Sequence, residues 1–97
     1  MTVYVDAVFT ATPQGAQARS HGTKWCHMIA TDLEELHTMA LQLGLKRSYF
    51  QRHRIYPHYD LVPSKRASAI AKGAAEITTA EKLRMRKERP GVFCGEH

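Results

Sequence analysis

A small α/β fold, a single layered domain with a mainly parallel three-stranded sheet and about three helices, is what this sequence predicts, on three observations. Short β-favouring runs alternate with helical patterns, the order that helical crossovers between parallel strands produce. Two Thr-x-x-Glu spacings mark helix starts. The 97 residues, 43% hydrophobic and 24% charged, suit one compact core and leave no room for a second domain. A domain over residues 1–90 with a flexible tail at 91–97 is expected.

Taken in order, Val3, Tyr4 and Val5 form a short strand ending at Asp6. The stretch from 7 to 22, rich in Ala, Thr, Gln, Gly and Ser, reads as a loop. Lys24 to Ala30 is a second apolar, strand-like run. Thr31 and Glu34 then have capping-box spacing, so the Thr31 hydroxyl is expected to accept from the Glu34 N–H. Leu33, Leu36, Met39, Ala40 and Leu43 recur at helical spacing, and Gly44 supplies the left-handed residue that ends a helix over 32–43. Between 46 and 57 only a turn of helix near 47–51 is expected, within an irregular loop. Pro63 at a first helical position and Gly73 after the last bound a second helix. Residues 74–78 read as a third strand. Thr78 and Glu81 open a basic terminal helix that Pro90 stops.

Composition bounds the function. The net charge is +5, which favours phosphate-bearing or acidic partners. The cations are uneven: Lys46, Arg47, Arg52, Arg54, Lys65 and Arg66 sit mid-chain, and Lys82, Arg84, Arg86, Lys87 and Arg89 crowd the last predicted helix. No apolar run approaches the roughly 18 residues of a transmembrane helix, and the first residues lack a signal peptide's basic and apolar regions, so a cytoplasmic protein with no membrane association is expected. Cys26 and Cys94 have no paired spacing and are read as free thiols.

The stretch from Pro57 to Arg66 concentrates His58, Tyr59, Asp60, Ser64, Lys65 and Arg66 beside a helix start, where backbone N–H groups lack partners. Val62 stands where a capping hydroxyl is expected, so the cap falls to Asp60, Ser64 or a ligand anion. His27 on a strand and His37 on a helix margin complete the candidate pocket.

Val3-Tyr4-Val5-Asp6, Trp25-Cys26-His27-Met28, Glu35-Leu36-His37, Gly44, Phe50, His58-Tyr59-Asp60, Lys65-Arg66 and Gly73-Ala74 together resemble domain-of-unknown-function family number 4031, over roughly residues 1 to 80. That family comprises small, uncharacterised proteins of phages, prophages and bacteria. The resemblance implies a phage or prophage setting, hence the host cytoplasm, and names polar positions without supplying a reaction.

The leading expectation is therefore a phosphate-bearing ligand, nucleotide or nucleic acid, bound by His27, His37, His58, Tyr59, Asp60, Lys65 and Arg66. A second is a hydrolase of phosphodiester or nucleotide type, with His27 and His58 as acid and base, Asp60 orienting, Tyr59 positioning, and Lys65 or Arg66 stabilising developing charge. A third is an inhibitor or accessory protein docking its basic face on a host protein. No cofactor is required; a divalent metal would use His27, His37, His58 and Asp60. Asp6 is a lone strand-end carboxylate whose obvious partner is Asp60. Tyr49, Phe50, Tyr56 and Tyr59, interleaved with cations, resemble a stacking surface for bases, with Phe50 assigned to the core. Lys82 to Arg89 reads as a solvated helix face.

Overall fold

The computed structural model describes residues 2–10 and 24–93. Its strands are β1 (Val3–Val5), β2 (Phe9–Thr10), β3 (Lys24–Ala30), β4 (Tyr59–Leu61) and β5 (Ala75–Glu76). Its helices are α1 (Leu33–Gln42), α2 (Pro63–Ala71) and α3 (Thr79–Glu88), with a 3-10 turn at Arg47–Tyr49. The α/β class and the three helices are as expected. Cys94 and most of the expected loop between the first two strands lie outside the described residues. Among the described residues, no helix is long and apolar enough to cross a membrane.

The sheet is mixed rather than mainly parallel. Across it the order is β4-β3-β1-β5, and among the described residues only β1 and β5 are parallel neighbours; β3 runs antiparallel to β1, β2 and β4. Two connections explain the difference. Among the described residues no helix lies between β1 and β3, and β2, which follows β1, already runs antiparallel to β3. After α1 returns the chain to the start of β3, residues 43–58, with a 3-10 turn and no α-helix, carry it back towards the end of β3, so β4 enters reversed. The helix-linked pair β4 and β5 does run in the same direction.

β2 and β4 both hang on β3. Tyr59, Asp60 and Leu61, where no strand is expected, pair with Met28, His27 and Cys26. Phe9 pairs with Trp25 on the edge that β1 occupies further along. The Asp6 N–H donates to the His27 carbonyl at 3.1 Å, so Ala7 and Val8 together lie opposite Cys26, as in a β-bulge.

Alternation along β3 divides the side chains between two faces. Val3, Val5, Cys26, Met28, Ala30, Tyr59 and Leu61 face α1 and α2, whose Leu36, Met39, Ala40, Leu43 and Ala69 complete the main core. The other face carries Tyr4, Asp6, His27, Ile29 and Asp60. Ile29, Ile77 and Phe93 form a smaller cluster there with Tyr4, Tyr56 and Met85, beneath α3.

Helix ends follow local chemistry. The first cap lies one residue later than expected: Asp32 accepts from the Glu34 and Glu35 N–H groups, while the Thr31 hydroxyl accepts from the Thr2 N–H at 3.1 Å and ties the chain start to the end of β3. The Thr78 and Glu81 capping box is formed as predicted. At α2, Val62 makes no side-chain cap. Gly44 has φ +77°, and a Cβ there would meet Lys65 Nζ at 3.9 Å, an ordinary contact. Gly44→Ala is therefore expected to cost about 1 kcal/mol through backbone conformation alone, read as a lower urea midpoint with an unchanged slope.

Candidate functional site

The site is built on the sheet face opposite the main core. Asp6 leaves the end of β1, His27 is central in β3, and Asp60 is opposite His27 in β4. His58, two residues before Asp60, projects from the same face, so the β1–β3 and β3–β4 pairings together gather four polar side chains.

Asp6 is its buried hub. Its Oδ1 accepts the His27 backbone N–H at 2.7 Å, and its Oδ2 accepts His27 Nδ1–H at 2.8 Å and Lys82 Nζ at 2.9 Å. Burial alone would raise the carboxyl, but the His27 and Lys82 hydrogen bonds outweigh it and hold Asp6 at about 2. The carboxylate is thus an acceptor only, so His27 Nδ1 donates to it and, in the neutral imidazole, the lone pair lies on Nε2. His58 is set the same way, because its Nδ1 donates to the Tyr56 carbonyl at 2.7 Å.

The two Nε2 atoms converge on Asp60. Asp60 Oδ1 lies 3.3 Å from His58 Nε2 and 3.9 Å from His27 Nε2. Gln51 Nε2 donates to the other oxygen, Oδ2, at 3.1 Å, and the Gln51–His58 bridge holds the two segments together. One ligand atom from each of His27, His58 and Asp60 fits within 4.8 Å of the others. These side chains are half-buried, so small molecules reach them. Phe9 stacks on the His27 ring at 4.7 Å, and His53, in an exposed loop with Arg52 and Arg54, lies 6.1 Å from the His58 ring.

The remaining predicted residues lie elsewhere. Tyr59 alternates to the core face, where its hydroxyl meets His37 Nδ1 at 2.7 Å; burial, and secondarily Arg47, lowers the His37 pKa. The two border a cavity of about 450 Å³ with Ala40, Leu41, Leu45 and Arg47, so His37 cannot join a metal set with His27, His58 and Asp60. Lys65 Nζ donates to the Leu43 carbonyl at 2.7 Å and helps close α1. Arg66 Nε donates to the Asp6 carbonyl at 2.8 Å and its Nη2 to Glu76 at 3.2 Å, so it braces β1 against β5. The expected single pocket is therefore two places, back to back across the sheet.

The proposed stacking aromatics are engaged in packing: Tyr59 is buried in the main core, the half-buried Tyr49 and Phe50 pack against it, and Tyr56 packs on Phe93. Cys26 is a free, buried thiol on the core face, where burial pushes it up to about 12, so it is inert at neutral pH.

Two contributors escaped the sequence reading. Lys82 was placed on a solvated face, yet it is 8% exposed and paired with Asp6; α3 has no apolar stripe to reveal which side packs. Gln51 sits in a loop of no clear period. A charged residue ending the apolar run Val3–Val5 was the one available signal for Asp6.

A family model described as "Protein of unknown function (DUF4031)" matches residues 3–89. No curated protein and no solved structure matches the chain.

Proposed function

We propose, for a chain that belongs to the DUF4031 family, that the face carrying His27, His58 and Asp60 binds a phosphate-bearing ligand, a nucleotide or nucleic acid, and hydrolyses its phosphoester. The observation that carries this reading is the orientation of the two imidazoles: Asp6 and the Tyr56 carbonyl hold both Nδ1 protons, so both basic Nε2 atoms point at one spot beside Asp60. A water there donates its two protons to two of these three acceptors. One of its protons passes to an acceptor, its oxygen bonds to phosphorus, the P–O ester bond breaks, and the departing oxygen takes up a proton.

Charge supports the phosphate. The chain carries +5 overall, and exposed Arg52 and Arg54 lie on the loop leading to His58, which draws an anionic substrate towards a site whose own carboxylate would otherwise repel it. Phe9, stacked against His27, offers an apolar flank to a sugar or base.

The test is a panel of bis(p-nitrophenyl) phosphate, cyclic nucleotides, nucleoside triphosphates and short DNA and RNA strands, assayed at low and moderate salt. Cleavage of at least one is expected, with binding that weakens as salt rises and a rate at least about 100-fold lower in His58→Ala. If no member is bound or cleaved, or if cleavage survives His58→Ala unchanged, the reading fails.

A further inference from the structure

We infer that His27 Nε2, His58 Nε2 and an Asp60 oxygen are the protein ligands of one divalent transition-metal ion, which would activate the water of the proposed hydrolysis. The inference deepens that reading, but ion binding itself is independent of substrate. Three lone pairs aimed at a common point define a place for a cation. Two imidazoles with one carboxylate suit zinc, iron, cobalt or manganese, whereas magnesium and calcium favour oxygen donors.

The supporting contacts distinguish this group from a chance gathering of polar side chains. Metal-binding histidines give their second ring N–H to a carboxylate or backbone carbonyl, which fixes tautomer and ring orientation. Here Asp6 does so for His27 at 2.8 Å and the Tyr56 carbonyl for His58 at 2.7 Å. The third ligand is oriented too, by Gln51 on Asp60 Oδ2. Asp6 itself is no ligand: its two oxygens already accept from the His27 N–H, the His27 ring and Lys82. It acts as the positioning carboxylate behind the ligand, with the buried Lys82 charge holding it in place.

The spacing fits with modest closure. Ligand atoms on a tetrahedral ion with bonds of roughly 2.0 to 2.1 Å lie about 3.3 Å apart. His58 Nε2 and Asp60 Oδ1 are at 3.3 Å, and the widest separation is within 4.8 Å. The side chains are 30% exposed at His27, 13% at His58 and 24% at Asp60, so solvent reaches the ion and coordination beyond the three protein ligands is open. With the ion held by all three acceptors, it lowers the pKa of a coordinated water towards neutrality, and that water's proton leaves to solvent rather than to a histidine.

Chelator-treated full-length protein, freed of chelator, would be titrated with zinc and with cobalt by calorimetry, without substrate. One ion per chain is expected, with affinity at least 100-fold lower in His58→Gln and in Asp60→Asn, and about 10-fold lower in Gln51→Ala. Should those variants fail to fold, the wild type decides: zinc should shift the ring nitrogen resonances of His27 and His58 and leave those of His37 unmoved. Failure to bind, binding unaffected by His58→Gln, or shifts confined to other histidines would overturn the inference. Hydrolysis that persists in excess chelator would overturn it while sparing the phosphoesterase reading. One bound ion with no substrate cleaved would do the reverse.

Discussion

Asp6→Asn is expected to lower the unfolding free energy by about 3 to 5 kcal/mol, the cost of leaving one member of a buried ion pair alone. The substitution preserves shape but leaves Lys82, 8% exposed, without its carboxylate. It also weakens the acceptors for the His27 N–H and ring. For a domain of this size such a loss lowers the melting temperature by more than about 10 °C. Adding Lys82→Met should recover part of it, since the stranded charge is then gone. A double variant no more stable than Asp6→Asn alone would show that the pair does not carry the cost.

The same carboxyl sets the acid limit. Its pKa in the fold is about 2 against an ordinary 3.8, so the folded state binds fewer protons than the unfolded chain between those values. This contribution, about 2 kcal/mol, is present above pH 4 and is lost as pH falls from about 4 towards 2. Asp6→Asn should flatten the stability profile across that window, and urea midpoints at several pH values measure it. An undiminished slope in the variant would assign the acid sensitivity to another group.

Leu61→Ala is expected to cost a similar amount, about 2 to 5 kcal/mol, for a different reason. Leu61 is 0% exposed in the main core, and truncation leaves a cavity. It neighbours Asp60 in sequence but faces the opposite side of the sheet. Ion stoichiometry in this variant should therefore match the wild type, with affinity within a few-fold, because Gln51 and the β3–β4 register still place Asp60. Affinity falling in step with stability would show that the two faces are coupled.

Much of the fold was legible because its signals are local. The Lys24–Ala30 strand, Gly44 after α1, Pro63 opening α2 and the Thr78–Glu81 box are each visible in a few consecutive residues. The first cap slipped by one residue because Thr31 and Asp32 are both competent caps, and the Thr2 N–H competes for the threonine hydroxyl. Of the short strands, Val3–Val5 and Ala75–Glu76 were visible as β-favouring runs, whereas Phe9–Thr10 and Tyr59–Leu61 were not. Tyr59–Leu61 contains an Asp, lies between Pro57 and Pro63 and has no long period, and pairing with β3 rather than intrinsic propensity makes it a strand.

By itself, the sequence determined the α/β class, the helices and the presence of reactive groups at His27, His58 and Asp60. It could not sort those groups into sites. Tyr59 stands between His58 and Asp60 in the chain, yet a pleated strand sends adjacent side chains to opposite faces, so its partner is His37 while theirs is His27. Lys82 lies 76 positions from Asp6 along the chain but is its ion-pair partner, because α3 crosses the face on which β1 and β3 present Asp6 and His27. Periodicity and capping act between near neighbours, whereas register, strand direction and helix placement depend on contacts between distant segments. Only the tertiary structure could turn the strand-end carboxylate, three of the predicted residues and an unsuspected lysine into one oriented cluster.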